Sequence, residues 1–235
     1  MERYEVEKGK NGMSIVDNES RYELKVFDKN VGFYGGVYFL IPNFCAVDSD
    51  SLIPVTSRGF SEYSSSLRKH ADDFDLQYLE VGVGYSGFLQ EVVSRGLRKK
   101  PIIIEPLNFD LTKGLLDFSR NVLESSSDLA RIDKLIDRHN FLTDASKVRL
   151  YNCTLGEALK KYGSELEGVA DVVVDYFGAG SYPEGEWDGK MRFRESLLAE
   201  EVWKMESKLL APNGTLFVCN RSGLRKNSSL YVTRA

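Results

Sequence analysis

From residue 76 to residue 220 the chain alternates two kinds of segment, and that alternation leaves few folds open. "LQYLEVGVG" (76–84), "PIIIEP" (101–106), "KVRLYNC" (147–153), "ADVVVDYF" (170–177) and "APNGTLFVCN" (211–220) are apolar, β-prone runs. The first is nearly continuous, as a strand buried on both faces requires. Between the runs lie "FLQEVVSRG", "FDLTKGLLDFSRNVL", "DLARIDKLIDRHNFL", "LGEALKKYG" and "FRESLLAEEVWKMESKLL", whose apolar residues recur at helical spacing. In the last of these, Leu197, Leu198, Val202 and Met205 fall on one side. Strands alternating with helices of this length predict an α/β fold, a Rossmann-like, doubly wound, mostly parallel sheet with helices on both faces.

The first 60 residues follow a different rule. "YEVEKG", "MSIV", "RYELKVF" and "VGFYGGVYFLI" are short β-prone segments separated by the turn chemistry of "KNG", "DNES" and "DKN". They predict an N-terminal β-meander of three or four strands over 1–60, followed by a Rossmann-like domain over 61–235. Pro42, Pro54 and the serines at 61 and 64–66 break the strand pattern. A helix over 61–72 fits what comes next. Phe33, Tyr34, Tyr38 and Phe39 read as meander core, with a wall facing a substrate as the alternative.

The first buried run ends in Gly82-x-Gly84-x-x-Gly87 and enters a helix. Glycine loses more backbone freedom on folding than any other residue, so three in one turn need a reason. In a doubly wound sheet, ligands bind at the C-terminal strand ends, beside the point where strand order reverses. A glycine turn there brings backbone N–H groups and a helix N-terminus to the ligand. Glu105 closes the second strand, where a carboxylate can accept both hydroxyls of a ribose. The spacing alone is weak evidence. Set strand–turn–helix, with an acid at the next strand end, it points to an adenosine ligand. A tight turn without a ligand is the plainer reading.

The bulk numbers narrow the classes. A net charge of −4 disfavours nucleic acid as a general partner and leaves "RGLRKK" (95–100) and "NRSGLRKN" (220–227) as local basic runs. The N-terminus lacks the apolar core of a signal peptide, and no run approaches a membrane span. Cys45, Cys153 and Cys219 are scattered, as reduced thiols in a cytoplasmic protein are, and form no zinc-site pair. His70 and His139 are isolated and read as packing or surface residues.

"YLEVGVGYSG", "IIIEP", "DVVVDYF" and "LLAPNGTLFV" together resemble the class I S-adenosylmethionine-dependent methyltransferase family over residues 76–220. The resemblance implies S-adenosylmethionine as cofactor and a methyl acceptor as partner. That acceptor stays open among small molecules, proteins and RNA. Glu80, Gly82 and Gly84 match the acid and glycines that end the family's first strand. Tyr85 lies inside the turn, Ser86 takes the place of the family's third glycine, and Gly87 follows. Glu105 matches the ribose-binding acid, with Pro106 beside it. Leu210, Pro212, Gly214 and Leu216 match the turn before strand five. Thr154 stands where many members carry an aspartate facing the adenine amino group, so residues 152–155, with Leu155, are the expected adenine frame. After strand five only "SLYVTRA" is left to extend the sheet, one strand where the family adds a helix and a hairpin.

The front meander and the segment from "DVVVDYFGAGSYPEG" to "LFVCN" are also similar to spermidine synthases. Those enzymes move an aminopropyl group and use two acids after strand four. Asp175 matches the first, but Gly178 occupies the second position, which counts against that activity. For methyl transfer, Asp175 and Tyr176 are the expected catalytic pair. The carboxylate would orient or deprotonate the acceptor and the ring would stack on it. The plainer reading is that Asp175 caps a loop and Tyr176 packs. Residues 178–194 would then be a substrate lid or an ordinary connection. A non-catalytic adenosine-binding module is the alternative outside enzymes, and an exposed meander edge is a natural pairing surface for a homodimer.

Overall fold

The computed structural model describes residues 2–10, 12–27, 37–41, 44–47, 73–85, 87–176, 197–219 and 230–233. Two compact units divide the chain. One comprises Met1–Ser49, Gly84–Ser86 and Leu107–Thr143, and the other Asp50–Val83, Gly87–Pro106 and Asp144–Ala235. The expected boundary near residue 60 and the expected helix over 61–72 lie outside the described residues.

The second unit holds a six-stranded sheet in the order β11-β10-β9-β6-β7-β8. Its strands are β6 (Tyr78–Val81), β7 (Ile102–Ile104), β8 (Arg149–Tyr151), β9 (Ala170–Tyr176), β10 (Leu210–Cys219) and β11 (Leu230–Thr233). β10, β9, β6, β7 and β8 run parallel, and β11 closes the edge antiparallel to β10. Starting at β6, the chain steps outward to β7 and β8, then returns to place β9 on the other flank of β6. The order therefore reverses between β6 and β9, which makes the sheet Rossmann-like and doubly wound. From the "SLYVTRA" segment, Leu230–Thr233 supply the sixth strand.

The apolar runs explain the burial. Every residue of β6 and β7 is buried, the pattern of a sheet covered on both faces. Strand side chains alternate between faces. Leu79, Val81, Ile102, Ile104, Val173 and Leu216 join one core with helices α4 (Leu155–Leu166) and α5 (Leu197–Leu209). Tyr78 points the other way and meets Phe88 of helix α1 (Phe88–Ser94) edge-on, with ring centroids 5.9 Å apart.

The "APNG" turn opens β10 with a bulge. Pairing shifts from Leu210↔Ala170 to Thr215↔Val172, so the chain loops outward between them. Gly214 makes this possible. A Cβ there would lie 2.8 Å from the Ala170 carbonyl oxygen and 2.9 Å from that of Ala211, both backbone atoms.

The first unit carries a five-stranded antiparallel sheet in sequence order: β1 (Tyr4–Gly9), β2 (Gly12–Asp17), β3 (Glu23–Phe27), β4 (Val37–Ile41) and β5 (Phe44–Val47). This corrects the expectation of three or four strands. Pro42 reads in the sequence as the end of the meander, yet Ile41 pairs with Phe44 across it and "FCAV" adds a fifth strand. Helices α2 (Phe109–Val122) and α3 (Ser126–Thr143) belong to this unit and pack on one another. α2 lies against β2 and β3, and the Tyr4 ring meets that of Phe118 at a tilt, with centroids 4.8 Å apart.

No helix among the described residues is long and apolar enough to cross a membrane.

Candidate functional site

The strand order directs attention to the C-terminal ends of β6, β7, β8 and β9, all in the second unit. β6 ends at Val81, and the Gly82 N–H continues the ladder by donating to the Ile104 carbonyl at 2.9 Å. Gly82 then turns left-handed, at φ +66°. An L side chain resists that conformation, so here the glycine answers a backbone demand. Glu80, two residues earlier, is buried on the Tyr78 face of the sheet.

Glu105 follows the last residue of β7 and is 3 % exposed. Its backbone is held from both sides. The N–H donates to the Tyr151 carbonyl at 3.1 Å, and its carbonyl accepts from Asn152 Nδ2 at 2.7 Å. Asn152 thereby fixes where the Glu105 side chain starts. Pro106, the next residue, is exposed.

Thr154 begins α4 as its N-cap in a reciprocal capping box. Its Oγ1 accepts from the Glu157 N–H at 3.3 Å, and the Glu157 carboxylate accepts from the Thr154 N–H at 2.9 Å and from the Thr154 hydroxyl at 3.0 Å. The hydroxyl is thus occupied by its own helix. These bonds hold the Glu157 carboxyl below its usual range, the Thr154 N–H contributing most. Leu155 is buried in the core of this unit. Cys153 is half-buried, and burial first and Glu157 second push its thiol up.

Asp175 is the penultimate residue of β9, paired in register with Val218 of β10 and fully buried. Tyr176 pairs with Cys219, but its side chain, the 178–194 segment, Ser86, His70 and the 220–227 basic run lie outside the described residues. The sequence reading missed the acid beside Asp175. Glu206 sits on the stripe of α5 that carries Val202 and Leu209, and it too is fully buried. Neither of its carboxyl oxygens meets a hydrogen-bond donor among the described residues. The acid that acts on it electrostatically is Asp175. Burial first, and the charge of Asp175 second, hold the Glu206 carboxyl well above the usual carboxylate range. The signal was present in the sequence: Val202, Glu206 and Leu209 follow i, i+4, i+7 spacing, which puts a carboxyl in the middle of an apolar face.

Of the rest of the glycine turn, Gly84 and Tyr85 belong to the first unit, and Gly87 to the second. Gly84 is also left-handed, at φ +52°. The Tyr85 hydroxyl is buried against Thr112 Oγ1 at 2.7 Å and His139 Nδ1 at 3.1 Å, and Arg138 donates to the Tyr85 carbonyl at 2.9 Å. Phe109 meets the Tyr85 and His139 rings edge-on. His139 is a packing residue here, as its isolation in the sequence implied. Gly87 caps α1 through backbone alone, at an ordinary φ of −90°.

No family model matches the chain, and no curated protein does. Solved structures do. Spermidine synthase from Thermotoga maritima aligns over 92 % of this chain with 11 % identity and a TM-score of 0.42. The chain spans only 56 % of the length of that protein. A Methanococcus maripaludis protein described as an S-adenosyl-L-methionine-dependent methyltransferase aligns over 72 % of this chain and 66 % of its own, with 11 % identity and a TM-score of 0.35. The fibrillarin pre-rRNA processing protein of Methanococcus jannaschii aligns over 94 % and 78 %, with 10 % identity and a TM-score of 0.38. At these identities and scores the likenesses decide nothing about chemistry, which has to be argued from the residues.

Proposed function

We propose that the second unit binds S-adenosylmethionine at the C-terminal ends of β6, β7 and β8 and transfers its methyl group to an acceptor presented beside Asp175. One observation carries the reading. Glu105, a buried carboxyl at the end of β7, has its backbone fixed on both sides by Tyr151 and Asn152. The neighbouring strand, β6, is followed by Gly82, whose left-handed turn leaves no side chain in the way. A fixed acceptor beside open backbone suits the two donor hydroxyls of a ribose, so the donor set fits an adenosyl group.

When bound, that cofactor supplies a methyl group activated on a sulfonium sulfur. The protein's share is modest. Glu105 anchors the ribose, the Gly82 turn admits the ligand to the backbone, and Asp175 takes the proton that the acceptor gives up as its lone pair forms the new bond to carbon. Thr154 plays no direct part, because its hydroxyl is committed to the α4 cap.

Calorimetric titration with S-adenosylmethionine, S-adenosylhomocysteine, decarboxylated S-adenosylmethionine and NAD tests this. Micromolar binding of the first two, weakened in Glu105→Ala, is the expected result. No binding by any of the four overturns it.

The acid pair favours a second reading. Aminopropyl transfer needs acids around a cationic amine, and Glu206 supplies the second acid that Gly178 lacks. Held neutral, however, Glu206 adds no second negative charge. Binding of the decarboxylated cofactor alone would bring this reading forward.

A further inference from the structure

Tyr85 has no task in the proposed reaction, yet three polar side chains of the first unit converge on it. Its hydroxyl lies 2.7 Å from Thr112 Oγ1 of α2 and 3.1 Å from His139 Nδ1 of α3, and its carbonyl accepts from Arg138 of α3 at 2.9 Å. Tyr85 and Thr112 are fully buried, and Arg138 and His139 are nearly so. A buried phenol needs a partner to offset its lost hydration, and one suffices. Here the side chain and the main chain of one turn residue are both held, by successive residues of one helix.

The protons can be counted. Thr112 donates its one hydroxyl proton to the Phe109 carbonyl at 3.1 Å, which leaves its Oγ1 to accept. Tyr85 therefore donates to Thr112 and accepts from His139. A neutral imidazole carries one N–H, and here that N–H belongs on Nδ1. No other placement of these protons satisfies all three bonds, so the bonds assign the tautomer. The result is a one-way chain from His139 through Tyr85 and Thr112 to the Phe109 carbonyl.

Gly84, the residue before Tyr85, is left-handed at φ +52° and buried. Glycine permits that conformation without enforcing it, since it populates others as readily. The bonds on Tyr85 fix what the glycine leaves loose. Gly82, where the proposed ligand meets open backbone, lies two residues before Gly84 in the chain.

We propose that Tyr85 is a positioning residue for the glycine turn: the one-way chain through His139, Tyr85 and Thr112, with the Arg138 bond, locks Gly84 and Tyr85 in one conformation and so keeps the turn set for an adenosyl ligand. The functional part rests on the cofactor reading, and the structural part on bonds within the first unit.

The lock is tested by NMR of the imidazole nitrogens in the full chain, with isotope-labelled histidine, at about pH 8, where the ring is neutral. The chain has two histidines, so the signals lost in His139→Phe assign His139. The expected N–H is on Nδ1. In Thr112→Val the Tyr85 hydroxyl loses its acceptor and turns its proton to Nδ1, so the His139 N–H should move to Nε2. A wild-type His139 with its N–H on Nε2 overturns the proposal. So does a tautomer that Thr112→Val leaves unchanged.

Calorimetric titration with S-adenosylhomocysteine reads the task of the lock. Tyr85→Phe keeps the ring and loses both hydroxyl bonds, and it should bind about 5- to 10-fold more weakly than the wild type. Ser119→Ala removes a different buried hydroxyl of α2, bonded to the Leu115 carbonyl, and should bind as the wild type does. Equal affinity in Tyr85→Phe and the wild type overturns the positioning role. An equal loss in Ser119→Ala does the same, since general loosening of the unit would then account for both. A wild type that binds nothing removes the cofactor reading and the functional part with it, while the tautomer still decides the lock.

Discussion

Asp175 and Glu206 are neighbouring acids in the core of one unit, brought together by a strand end and a helix more than twenty residues further on. A protein has little reason to hold such a pair for stability. Breaking a buried charged pair is costly, but replacing one with apolar groups of similar volume is often neutral or stabilising.

Glu206→Leu removes only one of the two acids and leaves the Asp175 carboxyl buried without its neighbour, so it should destabilise the fold at neutral pH, by about 3 kcal/mol. The pH dependence has a definite sign. The folded Glu206 carboxyl titrates above its ordinary value of 4.5. Its contribution is fully present below that value and is lost as pH rises through the folded midpoint. Denaturation of the wild type at about pH 5 and about pH 8 should thus show a decline that Glu206→Gln lacks. Parallel curves for the two proteins would contradict the raised titration.

Glu105→Ala should weaken S-adenosylmethionine binding by about 10- to 100-fold, the loss of a hydrogen bond to a charged acceptor. Asn152→Ala should cost less, about 5-fold, because it frees the Glu105 backbone without removing the carboxyl. Calorimetry on both variants checks the order. Equal losses would mean that Asn152 itself touches the ligand.

Thr154→Ala should lower stability by about 1 kcal/mol, through loss of the capping box, and leave cofactor affinity unchanged. The sequence suggests an adenine contact at this position. The hydroxyl's bonds to Glu157 suggest otherwise. A binding defect beyond the stability loss would restore the contact.

The second unit was legible because buried strands and amphipathic helices write their periods into the chain. β6, β7, β9 and α5 all fall within the segments read from pattern alone. The fifth meander strand was hidden because Pro42 reads as a stop, although Ile41 pairs with Phe44 only three positions further on. Glu105 and Gly82 were legible as strand-end residues. Asn152 was not, since its bond to the Glu105 carbonyl spans 47 positions. The partnership of Glu206 with Asp175 joins two elements, and only half of it, an acid on an apolar stripe, is visible in one segment. Gly214 was read as part of a family turn, and the bulge it permits explains why glycine is needed there.

His139 offers the last prediction. Burial first, and the nearby positive charge of Lys113 second, push its imidazole below the ordinary 6.5, against smaller upward pulls from Asp117 and Asp110. Neutral His139 is therefore the form the first unit is built around, bonded through Nδ1 to the Tyr85 hydroxyl and stacked on its ring. The sign follows from the lowered value. The stabilisation is present above the unfolded value of 6.5 and is lost as pH falls through the folded one. Wild-type stability should thus drop as pH falls below 6.5, where a charged imidazole must be accommodated against Lys113. His139→Phe, which keeps a ring and cannot charge, should flatten that decline, at the cost of the Tyr85 bond, about 1 kcal/mol at neutral pH. Thermal unfolding of both proteins across that range decides the matter. A decline of the same size in His139→Phe would assign the acid sensitivity to the carboxylates instead.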